Sequence, residues 1–154
     1  MKLILTISLL IYVFWVPATN AANGAKHYPG IFVGSTKFDG ETNFTLGLEY
    51  EYRVSNKWGI GGALERINEG HEGDGVSIWT VMGFYHPVEH IKLGFGPGQE
   101  RIGGDYGKNK DLLRFAIAYE YPVNDAFEIA PTIDIDLIDG DIAFVAGVAF
   151  ILMF

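Results

Sequence analysis

Residues Asp141 to Phe154 read D-I-A-F-V-A-G-V-A-F-I-L-M-F, and their only charge is the aspartate at the start. Counting back by twos from Phe154 gives Leu152, Phe150, Val148, Ala146, Phe144 and Ile142. Side chains alternate across a strand, so these residues make one unbroken apolar face. The other face, Met153, Ile151, Ala149, Gly147, Val145 and Ala143, is smaller and equally uncharged. Left bare in water, such a strand invites edge-to-edge aggregation. It must be buried in a core or in lipid.

The same alternation runs backward through the chain. In Thr42 to Val54, Phe44, Leu46, Leu48, Tyr50, Tyr52 and Val54 oppose Thr45, Gly47, Glu49, Glu51 and Arg53. Trp58 to Ile67, Ile91 to Glu100, Asp111 to Tyr121 and Phe127 to Leu137 repeat the pattern, each with one apolar face and one mixed face of small and charged residues. Gly30 to Phe38 and Val76 to Tyr85 also read as strands, without a register that the pattern decides. Turn residues separate the segments: Asp39-Gly40-Glu41, Ser55-Asn56-Lys57, His86 to His90 around Pro87, Pro122 to Asp125, and Asp139-Gly140. Asn68 to Gly75 is a polar loop, and Arg101 to Lys110 is expected to be the longest one. Eight strands joined by short connections must be antiparallel neighbours, and only closure removes both edges. The expected fold is all-β: an eight-stranded, antiparallel, up-and-down barrel. Pro97 and Pro131 fall inside strands, where each predicts a bulge or a local break.

At 154 residues the chain holds one domain. Lys2, the apolar run Leu3 to Val16 and the small residues Thr19 to Ala22 read as a secretory signal peptide over residues 1–22, cleaved near Ala21/Ala22. The run is shorter than the roughly 20 apolar residues of a spanning helix. The barrel domain is therefore 23–154. With no cysteine there is no lipoprotein anchor, disulfide framework, thiolate metal site or cysteine nucleophile. A formal net charge of −8 argues against nucleic-acid binding, which needs basic patches.

Alternation does not say whether the apolar face points in or out. Two features of composition choose outward. Gly47, Gly59, Gly61, Ala63, Gly94, Gly96, Ala116 and Ala118 share the charged face, and a narrow lumen needs such small residues beside long ones. Tyr50, Tyr52, Trp58, Phe84 or Tyr85, Tyr119, Tyr121, Phe127 and Phe154 fall at one rim, as in an aromatic girdle at a membrane interface.

A terminal phenylalanine preceded by alternating apolar residues (Phe154, Leu152, Phe150, Val148, Ala146) resembles the C-terminal signal of bacterial outer-membrane barrels. Over its whole mature length the chain resembles small outer-membrane barrels of the outer-membrane protein A transmembrane domain, X and W types. The resemblance implies a monomer in the outer membrane of a Gram-negative bacterium, exported through the periplasm. Its partners would be outer-membrane lipid, lipopolysaccharide and the barrel-assembly machinery, which would read Phe154, Leu152 and Phe150.

The charged face carries Glu49, Glu51, Arg53, Glu65, Lys92, Glu100, Arg114, Glu120, Glu128, Asp134 and Asp136, with acids outnumbering bases eight to three. Charges confined at low dielectric must pair, protonate or bind cations. A packed structural plug is expected, and a narrow cation-preferring pore is the competing reading. No cofactor and no metal are expected. His86-Pro87-Val88-Glu89-His90 spells H-x-x-E-H, but that zinc motif needs a helix and Pro87 sits in a turn. Glu69, His71, Glu72 and Asp74 read as a solvated acidic loop. Some barrels of this size remodel lipid A. Ser35, Thr36, Ser77 and His71 lie near the outer rim without the nucleophile motif such enzymes carry, so no catalytic activity is expected.

Overall fold

A computed structural model describes residues 24–68, 75–104 and 107–154. The signal segment 1–22 and the loop residues Glu69, His71, Glu72 and Asp74 lie outside the described residues. Nine strands form one antiparallel sheet: β1 (His27–Phe38), β2 (Glu41–Arg53), β3 (Trp58–Ile67), β4 (Val76–Tyr85), β5 (Ile91–Ile102), β6 (Asn109–Tyr119), β7 (Tyr121–Asn124), β8 (Phe127–Ile138) and β9 (Asp141–Leu152). Each strand pairs with its sequence neighbour, β1 pairs with β9, and β6 pairs with β8 to close the ring. The short β7 continues β6, since Ala118↔Thr132 and Tyr121↔Ile129 share one register against β8. The wall is thus an eight-stranded barrel without a free edge.

Both prolines interrupt pairing without shifting register. Between Gly83↔Phe95 and Thr80↔Gly98, the β4–β5 ladder loses its partners beside Pro97. Beside Pro131 the β6–β8 ladder stops at Thr132, while the amide of Glu120, which lies between β6 and β7, donates to the His90 carbonyl at 2.7 Å and so continues the register of β5 with β6. Several boundaries differ from the sequence reading. β5 runs on to Ile102 because Arg101 pairs with both Ser77 and Asn109, which shortens the expected long loop. Pro122 to Asn124 extends the strand wall before the turn. β1 begins at His27, held by Tyr52 of β2. Asp39 and Gly40 have φ of 47° and 82°, and Asp139 and Gly140 have φ of 49° and 95°. Two consecutive left-handed residues give the type I′ turn that suits the twist of a two-residue hairpin.

Burial runs opposite to that of a water-soluble domain. Leu48, Leu64 and Ile60 on the outside are more than half exposed, whereas Arg114 and Asp136 inside are 1% and 0% exposed. The structure also settles the two undecided registers. Tyr28, Phe32 and Thr36 of β1, and Val76, Ile78, Thr80, Met82 and Phe84 of β4, face inward. Phe84 is therefore not part of the rim, and Tyr85, packed on Trp58 at 4.6 Å between rings, takes that place. At the same rim His27 stacks on Phe154 at 5.6 Å, and their backbones exchange hydrogen bonds of 2.8 and 3.1 Å.

Candidate functional site: the lumen charge network

All eleven charged positions of the mixed face point into the barrel. Nine are buried, and Glu49 and Arg53 are partly so. Nine of the eleven gather into two clusters. The first centres on Arg114 of β6. Its Nε and Nη2 donate to Asp136 of β8 at 2.6 and 2.7 Å, and Nη2 also donates to Glu65 at 2.8 Å. Nη1 donates to Glu65 as well and lies 3.5 Å from Asp134. Asp136 is on the neighbouring strand, but Glu65 is on β3, which does not pair with β6. One planar guanidinium, with two forks, ties opposite walls together.

The second cluster sits nearer the aromatic rim. Arg53 of β2 donates to Glu120 at 2.7 Å, and its guanidinium lies 3.8 Å from the centre of the Tyr28 ring. Lys92 stands 3.7–3.9 Å from Glu49, Glu51 and Glu120. His86, in the turn after β4, bridges the acids: Nε2 is 2.7 Å from Glu51 and Nδ1 is 3.4 Å from Glu120. Burial opposes the charged imidazole, yet the contacts with Glu120 and Glu51 outweigh it and raise the His86 pKa above its ordinary 6.5. Glu51 finds its room in the small residues of β3, since a side chain at Gly59 would strike its carboxylate. Glu100 and Glu128 are buried in the same lumen.

His86 is the member that reasoning by alternation missed. It lies in a turn, where period two no longer assigns a face, and only its letter in H-x-x-E-H drew attention to it. The two histidines of that motif part ways: His86 enters the lumen, while His90 bonds to the Glu120 carbonyl at 2.9 Å. Glu51, His86 and Glu120 are the one set of potential metal ligands close enough to share an ion among the described residues. Arg53 and Lys92 contact the same carboxylates, however, and already supply the positive charge an ion would bring.

Apolar side chains occupy the lumen beyond each cluster. Ile67, Val76, Ile78, Leu112, Ile138 and Ala143 pack at the end opposite the aromatic rim. Tyr28, Phe32, Ala118, Ala130, Val145, Ala149 and Ile151 pack on the other side. Between the two charged clusters, a gap lined by Phe32, Glu49, Glu65, Lys92 and Arg114 has a volume of about 40 Å³. A cup of about 250 Å³ opens at the far mouth among Thr36, Asn43 and Ile67. Of the rim hydroxyls, Thr36 is buried against Thr45 at 2.7 Å, whereas Ser35 and Ser77 are on β1 and β4, with two strands between them.

No protein-family model and no curated protein matches the chain. Solved structures do. The attachment invasion locus protein Ail of Yersinia pestis is 16% identical, covering 84% of this chain and 97% of that one, with a TM-score of 0.58. The N-terminal β-barrel domain of Pseudomonas aeruginosa OprF is 11% identical over 85% and 100%, with a TM-score of 0.65. Neisserial surface protein A is 11% identical over 86% and 100%, with a TM-score of 0.61. With its closed ring, inward charges and outward apolar belt, the chain has the fold of these small eight-stranded barrels.

Proposed function

We propose that this chain is an integral outer-membrane β-barrel protein with a structural or interaction role, its lumen closed by ion pairs and apolar packing. The observation that carries the closed lumen is the gap of about 40 Å³ between the two charged clusters. That volume admits a few water molecules at most. A hydrated ion would have to part Arg114 from Glu65 and Asp136, leaving buried charges unpaired. The exposed apolar belt and the aromatic rim support residence in a bilayer. The fold likeness to Ail, OprF and Neisserial surface protein A supports the outer membrane as the site.

The test is conductance. Purified protein added to planar bilayers should give no discrete current steps. Cation-selective steps would replace this reading with the narrow pore that the excess of lumen acids favours. Lipid A from overexpressing cells should keep its mass spectrum, and an altered acylation pattern would make the chain an enzyme instead. Removing Phe154 should reduce the heat-modifiable, membrane-embedded form several-fold, because that residue's main chain pairs with His27 and its ring stacks there. Normal assembly of the truncated chain would separate Phe154 from any role as an insertion signal.

A further inference from the structure

One organised polar row interrupts the largely apolar outer surface. The registers align Arg66 of β3, Ser77 of β4, Arg101 of β5 and Asn109 of β6 as a single transverse row. Arg66, Arg101 and Asn109 are exposed on the outside of the barrel. The row is organised: Arg66 Nη1 donates to Ser77 Oγ at 2.9 Å, and the rest of that guanidinium lies against Gly75, so the side chain leans along the row toward β5. Directly beneath it is a groove of about 670 Å³ walled by Leu46, Leu48, Leu64 and Trp79. Near the same end the outward residues of β2, β8 and β9 are Phe44, Leu137 and Ile142, and β1 carries a single cation, Lys37, so the two-arginine row belongs to one side of the barrel. Among the described residues, the outward acid Asp111 sits one row lower and accepts from Gln99 at 3.3 Å.

Height matters as much as charge. From Trp58 at the aromatic rim to Arg66, a strand tilted by roughly 40° climbs on the order of 20 Å. The apolar band of such barrels is about 25 Å tall, so the guanidiniums reach its upper boundary. At that level a lipid's headgroup meets its chains.

We infer that Arg66 and Arg101, with Ser77 and Asn109 between and beside them, dock a phosphate-bearing lipid of the outer leaflet, one acyl chain of which lies in the groove over Leu64 and Trp79. This rests on the membrane reading above. Charge complementarity selects the occupant: guanidinium forks match phosphate oxygens, and the groove below matches a hydrocarbon chain. A free phosphate would use only half the site, and a second copy of this chain would bring its own basic row against this one.

Native mass spectrometry of the mature chain refolded in detergent tests the assignment. Bisphosphorylated lipid A, its dephosphorylated counterpart and inorganic phosphate are titrated separately. The phosphorylated lipid should bind one per barrel, and the dephosphorylated form on the order of tenfold more weakly. The double variant Arg66→Gln/Arg101→Gln should lose a similar factor, while Lys37→Gln, on the other side of the barrel, should change nothing. The heat-induced gel shift verifies that each variant is folded. Equal binding of the two lipids, equal binding by the folded double variant, stronger competition by inorganic phosphate, or dimers in place of lipid adducts would each overturn the site. A wild-type chain that fails to form a heat-modifiable barrel would instead remove the membrane reading, and the site with it.

Discussion

Around Arg114 one cation serves three acids, Glu65, Asp134 and Asp136; toward the aromatic rim Arg53, Lys92 and His86 share Glu49, Glu51 and Glu120. The first arrangement is a hub. Its geometry is set by a rigid fork, and every carboxylate in it depends on the same side chain. The second is a mesh, where Glu51 and Glu120 each meet three basic side chains and several contacts are 3.4–3.9 Å rather than hydrogen-bond length. A hub concentrates stability in one residue, whereas a mesh spreads it and tolerates loss.

The sharpest way to break this contrast is Arg114→Leu. It strands buried carboxylates, and removing one partner of a buried ion pair typically costs about 3–5 kcal/mol. Urea unfolding of the detergent-folded barrel should show that loss, and adding Glu65→Gln and Asp136→Asn should recover most of it. An unfolding midpoint unchanged in the single variant would mean that no hub exists.

A smaller effect is expected from pH in the mesh. The groups around His86 are Glu51 and Arg53 from β2, Lys92 from β5, and Glu120 between β6 and β7. Because the folded pKa of His86 is raised, its contribution is fully present below the ordinary value of 6.5 and is lost as pH rises through the folded value. The wild type should therefore become easier to unfold on going from pH 6 to pH 9, and His86→Gln should flatten that slope. A slope that survives the substitution would place the titrating group elsewhere.

The least effect is expected from Asp134→Asn. Its Oδ1 is buried without a hydrogen-bond partner among the described residues, and Oδ2 keeps only the 3.5 Å contact with Arg114. Neutralising it should leave stability within about 0.5 kcal/mol or raise it, since the desolvation of an ill-paired charge is relieved. A loss as large as that of Arg114→Leu would make Asp134 a full member of the hub.

How much of this was legible follows from what period two can carry. Glu65, Arg114 and Asp136 could be assigned to the lumen because each lies opposite the apolar face of its own strand. That Arg114 meets Glu65 could not be read. Their strands are not neighbours, and the stagger that brings them level is a property of the closed ring, not of either segment. Val76 to Tyr85 shows the opposite limit: apolar residues fall on both faces, so the pattern held no register until pairing with Trp58–Ile67 and Ile91–Ile102 imposed one. His86 was hidden for a third reason, since the alternation ends at Tyr85.

The hydrogen bond from the Glu120 amide to the β4–β5 turn has a consequence for exchange with solvent. Elsewhere each amide of the wall is held by the ladder with one neighbouring strand, and its deuterium uptake would report the opening of the whole barrel. The Glu120 amide is held by the His90 carbonyl, a group of the β4–β5 turn. Its exchange rate would follow that turn instead. One backbone position inside a rigid wall would thus act as a clock for the movement of the segment that carries His86.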